Sequence, residues 1–311
     1  MRRPVPRPNG AAFVLAAAVL WGTVGPAQVW ADTGDDPVAL GAARILIGGL
    51  VLAVVAARSR AGLRPLARRD VWPWLLLAAL ATAAYQAGFM FSVSRTGAAL
   101  ATAVALGMAP VATGAFARLL GGDRPGPGWT AGTLGAVAGC ALLLAPGAGR
   151  VDTAGIVLGI VSGACYGLYT VAAKRLTERR VPMSAAVSAT LLAGGLAISP
   201  ALVRRPPAPD GPGLALLAWL GVAATAAAYL LFVAGLERVL ASTAGTLSLA
   251  EPLVAAVLGL AVLGERVTAA SGAGLALLVG GLAVVSTGGK GRRDGPVRSR
   301  VDVSFDERPR T

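Results

Sequence analysis

The sequence contains no histidine, and only two of its 311 residues are cysteine. Histidine is the commonest transition-metal ligand and the usual proton carrier near neutral pH, so the chain lacks both resources. Cys140 and Cys165 lie inside apolar runs, where cysteine behaves as a small hydrophobic residue. We therefore predict no metal site, no disulfide and no cofactor.

Charge is also scarce. Charged residues make up 14% of the chain, against about 25% in an average soluble domain. They are clustered between apolar runs of roughly 18 to 25 residues, long enough for a helix to cross a hydrocarbon core of about 30 Å. The net charge of +13 comes from arginines in loops and tails. It therefore indicates membrane topology and not binding to nucleic acid.

The apolar runs predict an all-α integral membrane protein with ten transmembrane helices, because open sheets cannot satisfy their edges in lipid. The predicted spans cover residues 11–30, 37–57, 72–92, 96–117, 127–146, 153–173, 182–202, 213–234, 239–263 and 268–287. Residues 1–10 form a short N-terminal segment, and residues 288–311 form a polar, arginine-rich tail that we expect to be disordered.

The positive-inside rule orients these spans. With the N-terminus in the cytoplasm, 22 of the 28 Lys and Arg residues lie inside, five lie outside, and Arg44 lies within a span. Both termini are therefore predicted to be cytoplasmic, in a bacterial cytoplasmic membrane. A cleaved signal peptide ending near VWA at 29–31 is the alternative interpretation of the first run, although that run is long for one.

The two halves of the sequence repeat each other. An offset of 142 residues aligns Pro110 with Pro252, the GGDR motif at 121–124 with LGER at 263–266, and Gly132 and Gly139 with Gly274 and Gly281. Near the start of each half, an offset of 145 aligns Trp21 with Tyr166. Each half (11–146 and 153–287) holds five spans, so the second must enter the membrane inverted. Inverted repeats are the architecture of many secondary transporters.

Three segments carry a family resemblance: Trp21-Gly22, PVALGAARILIGG at the start of the second span, and EPLVAAVLGLAVLGER in the ninth. Together they resemble the EamA group of the drug/metabolite transporter superfamily, over residues 11–287. The first half departs from the pattern, with MAP for EP and GGDR for LGER. The resemblance implies a two-times-five helix fold and export or exchange of small metabolites such as amino acids, without fixing the substrate.

Only one acidic and one basic residue lie well inside a span, Glu251 and Arg44. A charge at that depth costs about 2.5–3.5 kcal/mol on insertion scales, so we expect both to face a water-filled cavity. A desolvated carboxyl group near an arginine can titrate near neutral pH, which makes Glu251 the candidate for proton coupling. Arg44 is the candidate for binding a substrate carboxylate or for pairing with Glu251. The alternatives are a structural carboxyl group and an arginine that reaches the headgroups.

The other candidate substrate-binding residues are polar or aromatic side chains within spans: Trp21, Tyr85, Gln86, Thr102, Tyr166, Tyr169, Thr246 and Ser248, with Tyr229 as a further cavity candidate. Pro26, Pro110 and Pro252 are predicted to bend their helices around the same cavity. Glycines every four residues from Gly155 to Gly167 predict a flat face on the sixth span, where another helix can approach closely.

These features favour a secondary transporter that exports a small, amino-acid-like metabolite by alternating access, driven by protons or by exchange. No G-x-x-x-x-G-K-[ST] loop is present, which disfavours ATP-driven transport. An intramembrane enzyme acting on a lipid-linked substrate is one alternative, but the sequence offers no paired carboxylates and no nucleophile with a base. A small-solute channel is another. The expected partners are a small-molecule substrate and the lipid bilayer, and a homodimer is left open.

Overall fold

The computed structural model describes residues 10–59, 62–121, 125–144, 152–207, 210–262 and 268–288. Within them the chain forms ten long helical segments, here α1 to α10. They are α1 (Gly10–Gly22 and Val24–Ala31), α2 (Pro37–Arg58), α3 (Trp72–Thr96), α4 (Ala98–Phe116, extended by a π-turn at Ala117–Gly121), α5 (Pro127–Leu144), α6 (Thr153–Glu178), α7 (Met183–Ile198), α8 (Gly211–Leu236, π-helical over Trp219–Ala227), α9 (Ala241–Leu247 and Ala250–Val262) and α10 (Ala269–Gly288).

Nine of these described segments are long and apolar enough to cross a membrane, and α7 is a shorter apolar helix. The prediction of an all-α, ten-helix membrane protein is confirmed. Several predicted features lie outside the described residues: most of the N-terminal segment (1–9), the tail from 289, and the repeated motifs at 122–124 and 263–266.

The helices alternate in direction, which gives the bundle two ends. The basic end is where α1 begins and α2 and α6 end, and it carries most of the described arginines. At the opposite end, aspartates cap the starts of α2, α6 and α8: Asp36 accepts hydrogen bonds from the amides of Val38 and Ala39, Asp152 from that of Gly155, and Asp210 from that of Gly213. These caps satisfy free amides and place negative charge at the positive ends of the helix dipoles.

The inverted repeat is visible where α5 packs on α10. A Cβ atom added to Gly132 would lie 2.9 Å from the carbonyl oxygen of Gly281, and one added to Gly139 would lie 2.7 Å from that of Gly274. The two contacts run in opposite directions along the helices, so α5 and α10 are antiparallel. The offset of 142 residues exchanges one contact for the other. A pseudo-two-fold axis between repeat mates of opposite direction is what an inverted repeat requires.

The remaining helix interfaces follow the same symmetry. The packing of α1 against α8 and α9 is matched by that of α6 against α3 and α4, and the contact of α2 with α8 by that of α7 with α3. The pairs α2–α7, α4–α9 and α5–α10 each join repeat mates. The glycine face of α6 is used as predicted, because a Cβ atom on Gly167 would lie 2.6 Å from the Thr113 amide nitrogen of α4.

Two helices are interrupted near the middle of the bundle. α1 breaks at Thr23, three residues before Pro26, and α9 breaks at Ser248–Leu249, just before Pro252. Proline lacks the amide that would bond the carbonyl four residues earlier. In α9 that carbonyl belongs to Ser248 and accepts from the Glu251 amide instead, at 3.0 Å. α4 remains helical across Pro110, so bending there stays a prediction.

Candidate functional site

A cavity lies at the centre of the bundle, between helices of both repeats. The space in which the centre of a water molecule can lie has a volume of about 80 Å³. Since one water needs about 10–15 Å³ on this measure, the space suits a few waters or one small solute. The lining residues are Trp21, Val24, Arg44, Ile45, Thr82, Tyr85, Gln86, Leu106, Tyr166, Tyr169, Thr225, Tyr229 and Glu251.

Two aromatic pairs form walls of this cavity. The rings of Tyr85 and Tyr166 lie 5.9 Å apart, and those of Trp21 and Tyr229 lie 5.4 Å apart. Trp21 and Tyr166 are repeat mates, and an offset of 144 residues aligns Tyr85 with Tyr229. The pseudo-two-fold axis therefore exchanges the two pairs. Tyr169 extends the second wall by an edge-to-face contact with Tyr229 at 6.2 Å.

The charges in the cavity do not follow the symmetry. Arg44 and Glu251 both line it, whereas Ala109 aligns with Glu251 in the first half. Both residues are described, and no ion pair within 4.0 Å joins them; neither side chain has a protein hydrogen bond within the described parts of the chain. Their charged atoms therefore face the cavity without forming an ion pair with each other.

Glu251 is held in place by the break in α9. It is the second residue of the Ala250–Val262 segment, whose first turn carries the positive end of a helix dipole. Gly22 of α1 packs against its backbone, since a Cβ atom there would lie 2.7 Å from the Glu251 carbonyl oxygen. The carboxylate thus stands at mid-bundle on a segment that α1 contacts closely.

Eight of the sequence-predicted residues line the cavity: Trp21, Arg44, Tyr85, Gln86, Tyr166, Tyr169, Tyr229 and Glu251. Three do not. Thr246 is buried and hydrogen-bonds Thr133 of α5 at 2.8 Å. Ser248 lies behind the wall and accepts a hydrogen bond from Tyr166 at 3.0 Å. Thr102 lies near the start of α4, in the half of the helix that is farther from the basic end. The functional roles of all eleven residues remain predictions.

Five lining residues were not anticipated: Val24, Ile45, Thr82, Leu106 and Thr225. Helical periodicity could have found two of them, because Thr82 lies one turn before Tyr85 and Gln86, and Thr225 one turn before Tyr229. The repeat could have found Val24, which an offset of 145 aligns with Tyr169. Ile45 and Leu106 are ordinary apolar residues and carry no signal in the sequence.

A family model for EamA-like transporters matches residues 8–145 and again residues 153–287. The chain belongs to the EamA-like transporter family. The two matches cover nearly the whole chain and agree with the two structural repeats that meet at the cavity. The membership also accords with the drug/metabolite transporter superfamily that the sequence motifs resemble.

Relatives of this EamA protein include proteins that are named as transporters. An uncharacterized transporter of Bacillus subtilis, YwfM, is 38% identical over 285 residues, which is 88% of this chain and 92% of the relative. An uncharacterized protein of Pseudomonas aeruginosa, PA1977, is 31% identical over 82% of this chain and 85% of its own. The threonine/homoserine exporter RhtA of Escherichia coli is 32% identical over 125 residues, 38% of this chain and 40% of RhtA.

The fold also occurs in a crystal structure that superposes with a TM-score of 0.75 at 24% identity. The superposition covers 90% of this chain and 97% of the other. It establishes a shared fold. The family match makes this chain a transporter, and its long apolar helices make it a multi-pass membrane protein.

Proposed function

We propose that this EamA protein is a secondary transporter that exports a small, amino-acid-like metabolite across the bacterial cytoplasmic membrane by alternating access. The observation that carries the proposal is the presence of Arg44 and Glu251 in one small cavity with no ion pair between them. A zwitterion offers a carboxylate to the arginine and an ammonium group to the glutamate. The partial likeness to a threonine/homoserine exporter supports the same class of substrate.

The cavity favours a small solute with hydrogen-bonding groups. Its polar lining beyond the two charges comes from Thr82, Gln86 and Thr225, and its aromatic walls supply flat apolar contacts. A cavity that offers the centre of a water molecule only about 80 Å³ leaves little room for a bulky drug-like molecule. The excess of Lys and Arg at the basic end supports placing that end, and both termini, in the cytoplasm.

Glu251 can serve two roles that exclude each other at any moment. When ionised it attracts the substrate ammonium group, and when protonated it does not. Competition between a proton and the substrate for one carboxylate is sufficient to couple their opposite movements. We therefore propose proton exchange at Glu251 as the driving reaction.

The test is transport into inside-out vesicles by wild type, Arg44→Ala and Glu251→Gln, with Arg95→Ala as the matched arginine control. Arg95 is paired with Asp152 at the opposite end and is 53% exposed. Three probes isolate the recognised groups: labelled threonine, threonine amide, and the corresponding hydroxy acid without the amine. Each is supplied with and without an imposed pH gradient.

We expect Arg44→Ala to raise KM for threonine by about 10- to 100-fold, the effect of losing a charged hydrogen bond, and to leave the amide unaffected. Glu251→Gln should abolish the stimulation by the pH gradient, and it should also raise KM for threonine counterflow, because a neutral amide does not attract the ammonium group as the ionised carboxylate does. Equal losses for threonine and its amide in Arg44→Ala would refute recognition of the carboxylate. Full gradient stimulation in Glu251→Gln would refute proton coupling at that residue.

A further inference from the structure

The outer face of α6 changes from apolar to basic along its length. Val157, Ile160 and Val161 are 41–51% exposed, and in a membrane-spanning helix such side chains contact lipid chains, which are as apolar as they are. Steps of seven residues stay on nearly the same face of a helix. They lead from Val161 through Leu168 to Arg175. The lipid-facing side of α6 therefore ends, at the basic end, in an arginine.

Two arginines share one aromatic ring at this end of α6. The guanidinium carbon of Arg175 lies 5.7 Å from the ring centroid of Trp74 on α3, and that of Arg179, the residue that follows α6, lies 5.4 Å from it. Both distances are within the range of a cation–π contact. The ring thus concentrates two positive charges between the ends of α3 and α6. We call Trp74, Arg175 and Arg179 the arginine site.

The fold satisfies one of these guanidinium groups and leaves the other largely open. Arg175 donates to the Glu178 carboxylate at 3.0 Å and to the carbonyl oxygen of Leu120 at the end of α4. Arg179 donates to the Arg175 carbonyl oxygen at 3.3 Å, and it forms no ion pair with any residue that the structure describes. Since a guanidinium group carries five N–H donors, most donors of Arg179 are open to a ligand.

The charges around the arginine site are mainly positive. Arg68 forms two hydrogen bonds with Asp70, at 3.1 and 2.7 Å, and donates a third to the carbonyl oxygen of Arg179 at 3.1 Å. Arg69 and Arg180 are exposed, and neither has an ion pair within the described parts of the chain. Counting the ion pair on α6, five arginines stand against two carboxylates. The surroundings therefore favour an anion.

The α3 side of the arginine site continues into an apolar edge. Trp72, Leu76 and Leu80 lie one turn apart and are 52–68% exposed. The indole N–H of Trp72 donates to the Leu66 carbonyl oxygen at 2.8 Å, and tryptophan is enriched at the level of the lipid headgroups. An acyl chain below the arginine site would therefore meet apolar side chains on both α3 and α6.

We propose that the arginine site binds the headgroup of an anionic phospholipid, with its phosphate on the free donors of Arg179 and its acyl chains along the exposed faces of α3 and α6. Guanidinium groups bind phosphate through two parallel hydrogen bonds. Basic pockets between transmembrane helices bind anionic headgroups in the same way. A soluble phosphate compound would make no use of the apolar faces below the site, so the ligand belongs to the membrane.

The inverted repeat does not reproduce the arginine site at the other end of the bundle. An offset of 145 residues aligns Arg175 with Trp30 and Arg179 with Gly34. The aligned segment, residues 32–36, contains three aspartates, which repel a phosphate. The symmetry of the fold thus does not require the two arginines, and the proposed lipid belongs to the leaflet at the basic end alone.

The test is native mass spectrometry of the full-length protein in detergent, with an equimolar mixture of phosphatidylglycerol and phosphatidylcholine that carry the same acyl chains. Arg179→Gln removes the charge, and Arg179→Lys keeps the charge without the planar fork. Arg238→Gln is the matched control, because Arg238 lies at the same end, 5.1 Å from the ring of Phe13, and its side chain is 44% exposed. A further sample of wild type receives millimolar inorganic phosphate.

We expect wild type and Arg238→Gln to retain phosphatidylglycerol in preference to phosphatidylcholine. Arg179→Gln should lower this preference by about tenfold, the effect of losing a charged hydrogen bond, and Arg179→Lys should restore it only in part. Equal retention of the two lipids by wild type would overturn the proposal. An equal fall in Arg179→Gln and Arg238→Gln, or full recovery in Arg179→Lys, would replace the site by a diffuse attraction between charges. Displacement of phosphatidylglycerol by inorganic phosphate would overturn the assignment to a lipid.

Discussion

The close approach of α1 to the Glu251 segment can be tested with a pair of glycines on α1. A methyl group added at Gly22 would lie 2.7 Å from the Glu251 carbonyl oxygen and 2.6 Å from Cβ of Val254. Carbon atoms in ordinary contact lie about 3.5–4.0 Å apart, so α1 and α9 must separate by about 1 Å. Gly25, three residues later, has no atom within 4 Å of the same added methyl group. Gly22→Ala and Gly25→Ala therefore differ in packing and little else.

Replacing glycine by alanine in a helix favours the helix by about 0.5–1 kcal/mol, and both variants receive that gain. Overpacking costs about 1–3 kcal/mol, and only Gly22→Ala incurs it. Gly25→Ala should be neutral or slightly stabilising, while Gly22→Ala should lose up to about 2 kcal/mol of unfolding free energy. Because the second segment of α9 carries Glu251, Gly22→Ala should also lower transport several-fold.

The measurements are thermal unfolding in detergent and counterflow in vesicles, on both variants and wild type. If Gly22→Ala melts and transports like Gly25→Ala, the α1–α9 crossing is looser than the structure has it. Contact with α1 would then not be what holds Glu251 in place. Loss of stability with unchanged transport would retain the crossing and reject its role in positioning the carboxylate.

Two further predictions concern the repeat interfaces. Gly281→Ala places a methyl group 2.5 Å from the Ala136 amide nitrogen, whereas the neighbouring Gly280 has open space. We expect the unfolding free energy of Gly281→Ala in detergent to be lower than that of Gly280→Ala by about 1–3 kcal/mol. Equal stabilities would contradict the close α5–α10 contact. Thr133→Val and Thr246→Val should show a coupling of about 0.6 kcal/mol in a double-mutant cycle, typical of interhelical hydrogen bonds in membranes. Strict additivity would mean that the 2.8 Å contact contributes nothing.

The sequence predicted the helices well because lipid leaves few options for the backbone. The run predicted at 213–234 became Gly211–Leu236, and the run at 72–92 became Trp72–Thr96. What composition could not give was irregular backbone. The π-helical stretch of α8, in which the Thr225 hydroxyl group donates to the Leu220 carbonyl five residues earlier at 2.7 Å, leaves no trace in hydropathy.

The candidate site was predictable where a residue is anomalous for its surroundings. Arg44 and Glu251 are charges in apolar spans, and Trp21 and Tyr166 are aromatic repeat mates, so all four were visible in the sequence. Thr246 and Ser248 show the limit of this reasoning. Polarity alone does not tell whether a hydroxyl group faces a cavity or a neighbouring helix. The rotation of α9 decides that, and it depends on packing of the whole bundle.

Arg44 has no charged counterpart in the second half of the fold. Gly49 of α2 packs on Leu192 of α7, and Gly195 of α7 packs on Leu46 of α2. An offset of 146 residues converts one of these contacts into the other. The same offset aligns Arg44 with Thr190. Thr190 is buried and donates to its own helix at Val187. If the halves exchange conformations as proposed, no second arginine takes over, so we expect Arg44 to serve the substrate in both states. Arg44→Ala should then raise KM by the same factor, to within about threefold, in right-side-out and inside-out vesicles, while Arg95→Ala changes neither. A change from one side only would mean that Arg44 contacts the substrate in a single state, and that the cavity does not act as one site reached alternately from its two ends.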